Sequence, residues 1–314
     1  MLRRFVLLVV LMFQSAVAFA ADVRTEVFPL ERDGVKLHLE RYQAEGGGGK
    51  KPLILVHGLT YSSREFDVNY GDYSLARFLA NNGFDVWLLD IAGYGQSREA
   101  GDKFTGFTPD SDYAAEDIKA AAKLIVEKSK TAKLDVLGWS WGTVTGGRFA
   151  AKYPELVNKL VLYAPIVAGL GEYDVPHEYT ATSWEHAAGD FQVKADKSID
   201  YDIVERPVAD TFLSNCWLYD GAGSPNGGRR NLLVAPTERL IPTAKIKAPT
   251  LLIVGDQDPY VSVALCEEAL KTLPEGAKLH VLKGAAHAMM MEKPYYKEFR
   301  NTVLEFLAPG SAPQ

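Results

Sequence analysis

Gly138-Trp139-Ser140-Trp141-Gly142 stands directly after the apolar run Leu134–Leu137 and directly before a helical pattern at Thr143–Lys152. A serine on so tight a strand-to-helix turn takes a strained backbone. Glycines two before and two after it remove side chains that would collide across the turn. The strain presents the hydroxyl at the carboxyl end of a sheet, and the helix that begins there points its N-terminus at developing negative charge. The bare pentapeptide recurs by chance; its place between a strand and a helix is what makes it informative.

Outward from this turn the chain repeats strand, loop and helix. Leu53–Val56, Asp85–Leu89, Leu134–Leu137, Lys159–Leu162, Thr250–Val254 and Lys278–Leu282 are short apolar runs without clean alternation, which suits parallel strands buried on both faces. Helical patterns fill the gaps at Tyr73–Asn81, Asp112–Lys128, Thr143–Lys152, Val261–Lys271 and Lys293–Phe306, with Asp112 placed to cap the second. The alternation predicts an α/β fold with a mostly parallel central sheet flanked by helices. Ahead of it, Arg24–Leu30 and Val35–Tyr42 read as two strands joined by a turn at Asp33-Gly34. The glycine run Gly46–Gly49 leads into lysines and a strand, with no Ser or Thr and no helix, so it is a loop and not a phosphate cradle. Residues 165–248 break the alternation and are too long for a structureless loop. They are expected to form an inserted helical cap on a core made of 21–164 and 249–314.

Composition narrows the classes. The chain has 314 residues, 47% hydrophobic and 24% charged, with a formal net charge of −6. Such a chain is globular, and its acidic balance argues against a nucleic-acid partner. Two cysteines exclude a disulfide-stapled mini-fold and a multi-cysteine zinc module. No H-E-x-x-H spacing marks a zinc site, and Gly93-Tyr94-Gly95 lacks the third glycine of a dinucleotide fingerprint, so no metal and no cofactor are expected. Residues 1–20 have a basic start, an apolar centre Phe5–Phe13 and the small-x-small sequence Ala18-Phe19-Ala20. They are expected to be a signal peptide that exports the protein to periplasm or medium, without stable membrane insertion. Export would permit a disulfide between Cys216, in the expected cap, and Cys266.

Four landmarks besides the serine turn follow the buried strands in order. They are His57-Gly58-Leu59, Asp90-x-x-Gly93-Tyr94-Gly95-Gln96-Ser97, Gly255-x-x-Asp258 and Gly284-Ala285-Ala286-His287. With them the sequence resembles the α/β-hydrolase superfamily from Pro52 to Leu307. Acyl transfer then assigns roles. Ser140 is the expected nucleophile, since a hydroxyl attacks a carbonyl once a base takes its proton. His287 is the expected base, because an imidazole gives and takes a proton near neutrality. Asp258 fits the family position for the group that orients the imidazole, with Asp256 as its rival two residues away. The resemblance further implies an oxyanion hole from the backbone N–H groups of Leu59 and Trp141.

The remaining candidates read more plainly. His57 is expected to brace the oxyanion loop through its ring nitrogens, and Asp90 to hold a turn. Met289, Met290 and Met291 either line an adaptable acyl pocket or pack at the start of the last helix. The expected activity is hydrolysis of a small-molecule carboxylic ester through an acyl-enzyme. The alternative is cleavage of an amide beside a free amine recognised by Glu172, Glu178 or Glu185. A non-catalytic binding protein on this fold usually lacks a member of the serine, histidine and acid set, and none is missing here. An epoxide hydrolase or dehalogenase would carry aspartate where Ser140 stands.

Overall fold

The computed structural model describes residues 22–46, 51–98, 104–221 and 223–308. The expected signal peptide lies outside the described residues, as does most of the glycine run. The strands β1 (Val23–Arg32) and β2 (Val35–Ala44) form an antiparallel hairpin. Its two-residue turn puts both Asp33 and Gly34 at positive φ, 52° and 82°. That backbone matches the twist of the flanking strands and is the one an Asp-Gly pair adopts most readily.

The alternating part follows as β3 (Lys51–Val56), α1 (Leu75–Asn81), β4 (Phe84–Asp90), α2 (Ser111–Ser129), β5 (Leu134–Trp139), α3 (Trp141–Lys152) and β6 (Val157–Tyr163). After an excursion described below, it resumes as β9 (Thr250–Gly255), α7 (Val263–Leu270), β10 (Lys278–Leu282) and α8 (Tyr296–Leu307). One eight-stranded sheet results, ordered β1-β2-β4-β3-β5-β6-β9-β10. The β1-β2 and β2-β4 pairs are antiparallel, and every pair from β4 to β10 is parallel. Every residue of β4, β5 and β9 is buried, Asp85 and Asp90 in β4 and Asp135 in β5 included, so those segments read as largely apolar runs without clean alternation. The cap of α2 differs from the expectation. Asp110, with extended backbone, accepts from the N–H groups of Asp112 and Tyr113, whereas Asp112 pairs with Arg148. Asp112 lies inside the first turn, so its own N–H is one of the orphan donors that the cap satisfies.

The excursion at 165–248 contains β7 (Tyr179–Thr180), α4 (Trp184–Ala188), α5 (Arg206–Asp220), β8 (Ser224–Pro225) and α6 (Gly227–Leu232). It packs on the loops that follow the core strands. Asp220, at the end of α5, accepts from Ser62 N and Oγ and from Gly95 N. Asn226 N and Gly227 N both donate to Gly106 O. Cys216 and Cys266 are both buried free thiols, so the disulfide considered from the sequence is not formed. Burial pushes both thiols up, Cys266 to about 12, which leaves them protonated and inert.

Candidate active site

Ser140 sits between β5 and α3 at φ 55° and ψ −120°. A β-carbon residue holds such a backbone only where its surroundings impose it, at a cost of about 1–3 kcal/mol. The surroundings are visible. Ser140 N donates to Tyr163 O, while Ser140 O accepts from Thr143 N and Thr143 Oγ1. A Cβ on Gly138 would lie 2.1 Å from Gly142 O, and one on Gly142 would lie 2.2 Å from Val56 O. The two glycines therefore let the turn close on itself and on β3. The helix α3 begins at Trp141 and not at Thr143, so the Trp141 N–H belongs to a first turn that has no carbonyl of its own to donate to.

The loop after β10 brings His287 to the same place. Its Nδ1 is 2.7 Å from Asp258 Oδ2, and the Asp258 side chain is fully buried. Asp258 Oδ1 accepts from Tyr260 N and Val261 N, which fixes the carboxylate plane. With the proton on Nδ1 shared with the carboxylate, Nε2 is left as the basic nitrogen. The ring is held from behind as well. Trp139 Nε1 and Tyr163 Oη both donate to His287 O, and Tyr260 meets the imidazole edge-on at 4.9 Å. Asp256 is exposed and accepts from Gly284 N, so it holds the loop that carries His287 without touching the ring.

Ser140, His287, Gly58 and Leu59 line one cavity of about 270 Å³. His57 is fully buried beneath the loop; its Nε2 accepts from Ile91 N, so its Nδ1–H donates to Gly58 O. Burial lowers its pKa, and the neutral ring is a brace between two loops. Asp90 takes Ser63 N, Ser63 Oγ and Gln96 N, and so holds two turns at once. Met289, Met290 and Met291 are buried in packing and do not line the cavity. Glu172, Glu178 and Glu185 do not line it either, and Glu178 is engaged with Gly106 N.

Three charged residues that sequence reading passed over do line it: Glu65, Asp190 and Arg229. No motif or spacing marks them, because they come from three distant segments that only the fold brings together. Glu65 is 2% exposed and accepts from Gly58 N at 2.7 Å, so it shapes the candidate oxyanion loop from outside. Desolvation raises its pKa well above the usual carboxylate range, with Asp190, Asp220 and Asp90 adding in the same direction. Desolvation likewise pushes Asp190 up to about 6, with the His287 charge opposing and Asp258 reinforcing the shift. Among the described residues no group of three or more His, Cys, Asp or Glu is placed to hold a metal ion.

Asp190 yields a stability prediction. The folded carboxyl keeps its proton up to about pH 6 against a reference value of 3.8. Its contribution is therefore fully present below the reference value and is lost as pH rises through 6. Asp190→Asn is expected to leave stability unchanged at pH 4 and to raise it by on the order of 2 kcal/mol at pH 8. Thermal unfolding of both proteins at the two pH values checks this; an equal effect at both would contradict the assignment.

Comparison with known proteins agrees with this architecture. Residues 49–294 match the family described as serine aminopeptidase, S33. Mouse serine hydrolase BPHL is 25% identical over 287 residues, spanning 88% of this chain and 84% of that protein. Human lipase member M is 33% identical over 128 residues, 38% of this chain and 30% of that protein. The solved structure of a hydrolase from Pseudomonas aeruginosa superposes with a TM-score of 0.65 at 20% identity, covering 90% of this chain and 98% of that one. A serine turn between β5 and α3, a mostly parallel sheet and a family match across most of its length lead to one conclusion: the chain belongs to the serine aminopeptidase S33 family of the α/β-hydrolase superfamily.

Proposed function

We propose that the protein cleaves carboxylic esters through an acyl-enzyme, without a cofactor. The observation that carries this reading is the pairing of His287 Nδ1 with the buried carboxylate of Asp258 in the cavity that strained Ser140 shares. In the first half-reaction His287 Nε2 takes the Ser140 hydroxyl proton as Oγ bonds to the ester carbonyl carbon. The carbonyl oxygen becomes an oxyanion held by the backbone N–H groups of Leu59 and Trp141. Collapse breaks the bond to the alcohol oxygen, which leaves with the proton returned by His287. Water then repeats the sequence on the acyl-enzyme, releasing the acid and restoring Ser140. Asp258 orients the ring and stabilises the imidazolium. The segment 165–248 acts as the cap, since it supplies Asp190, Arg229 and Leu232 to the cavity wall. The likeness to lipase member M and the apolar residues Tyr61, Ile166, Leu170 and Leu233 in the lining support an ester with an apolar portion. The amino-terminal twenty residues support export as the place of action.

A second reading, cleavage beside a free amine, is favoured by Asp190. Its carboxylate has no hydrogen-bond partner among the described residues and lines the cavity, and the family is described as a serine aminopeptidase. Labelling by a fluorophosphonate probe, mapped by mass spectrometry, is expected to fall on Ser140. Hydrolysis of p-nitrophenyl esters from acetate to palmitate is expected to peak at the short end, given the size of the cavity. Faster turnover of amino-acid anilides than of any ester would favour the amine reading. Absence of both labelling and turnover would return the protein to a binding role.

A further inference from the structure

Arg229 is a buried cation without an anion. It is only 9% exposed, and no carboxylate among the described residues pairs with it. One side of its guanidinium is spoken for: Nη1 donates to Ser224 Oγ at 2.8 Å, Asn226 Oδ1 at 2.9 Å and Pro225 O at 3.4 Å. The other side is nearly bare. Nη2 makes one long contact, 3.3 Å to Thr60 Oγ1, and Nε has no acceptor among the described residues. The Nε–Nη2 edge is the one that receives a carboxylate side-on through two parallel N–H donors.

A structural tie does not account for this arrangement. All the acceptors that Arg229 meets are neutral, and a side-chain amide could serve Nη1's role without bringing a charge into the interior. A buried charge left without a counter-ion is costly, so its retention points to a counter-ion that comes and goes. The place is also specific. Arg229 lines the cavity that holds Ser140 and His287. Its neighbour Gly228 has no room for a side chain: a Cβ there would lie 2.6 Å from Leu59 Cδ1 and 2.7 Å from the Trp141 indole. The helix α6 is thus pressed against the two residues assigned to the oxyanion hole, and Thr60 directly follows one of them. Glu65, His186 and Asp190 line the same cavity, and none of them is hydrogen-bonded to Arg229 among the described residues.

We propose that Arg229, with Thr60, binds a carboxylate carried by the substrate, so that the ester cleaved retains a free acid a few bonds from the scissile carbonyl. Half-esters of dicarboxylic acids and O-acyl hydroxy acids have this form. The inference rests on Ser140 as the reacting residue, and it is tested without turnover. The Ser140→Ala protein is titrated calorimetrically with monomethyl succinate, monomethyl glutarate and O-acetylglycolate, each against its fully esterified methyl counterpart. At least one acid is expected to bind about 10- to 100-fold tighter than its neutral partner. Adding Arg229→Met is expected to erase that preference, and Arg229→Lys, which keeps the charge and loses the planar fork, to reduce it several-fold. Equal affinity for acids and neutral esters, no binding of any acid, or a preference untouched by either substitution would overturn the proposal. If Arg229→Met fails to fold, as circular dichroism would show, Arg229→Lys decides alone. Failure here leaves ester hydrolysis by Ser140 standing, whereas ester turnover that survives Ser140→Ala in full would remove the hydrolase reading and leave the calorimetry to be judged separately.

Discussion

Ser140→Ala is expected to lower kcat on p-nitrophenyl esters by roughly 10⁴- to 10⁶-fold while KM moves by only a few-fold. The size follows from what is lost. On the proposed mechanism no acyl-enzyme forms without Oγ, and the remaining acceleration would come from cavity binding and from the N–H groups of Leu59 and Trp141. Alanine keeps the Cβ, so the backbone at φ 55° stays as strained as before. The Ser140 side chain supports no hydrogen bond among the described residues; its backbone does that work through Tyr163 and Thr143. The substitution is therefore expected to leave the melting temperature nearly unchanged, which separates lost chemistry from lost fold. Steady-state kinetics and a thermal melt on the same preparation check both parts. Activity within tenfold of wild type would exclude Ser140 as nucleophile.

Asp258→Asn is expected to cost about 10³- to 10⁴-fold in kcat. The amide that replaces Oδ2 presents an N–H to His287 Nδ1 unless it flips, and either way the negative charge that steadies the imidazolium is gone. Its other oxygen still meets Tyr260 N and Val261 N, so the loop keeps its shape. Asp256→Asn is the control. Asp256 is exposed and bonded to Gly284 N, so its replacement is expected to change kcat by less than about tenfold, through a looser loop alone. Kinetics of the two variants side by side would show the contrast; the reverse order would exchange the roles of the two aspartates.

Much of this is legible in the sequence. The serine turn is written in neighbouring residues, because the clash that forbids side chains at positions 138 and 142 arises within one turn and against the adjacent strand. Buried parallel strands are legible because a strand covered on both faces is apolar at most of its positions and shows no clean alternation. Asp258 is favoured in the sequence only through the family position, and Asp256 stands as its rival because both lie within reach of the loop after β10. Only the direction of each carboxylate separates them, one to Gly284 N and one to the ring of His287. The sequence points to Asp112 as the cap of α2 and the structure to Asp110, because the two offer the same chemistry and backbone geometry alone chooses. Glu65, Asp190 and Arg229 were invisible for a deeper reason: each becomes chemically unusual only by burial against segments far away in the chain.

The bonds of Asp220 to Ser62 and Gly95 bear on how firmly the cavity wall is held. They rivet the end of α5 to two core turns, and Gly228 leaves α6 no clearance to slide. Another part of the segment is built differently: α4 is a five-residue helix whose Trp184 is 48% exposed. The two parts of the inserted segment are thus tied to the core to different degrees, and α6, which carries Arg229, is the part held firmly in place.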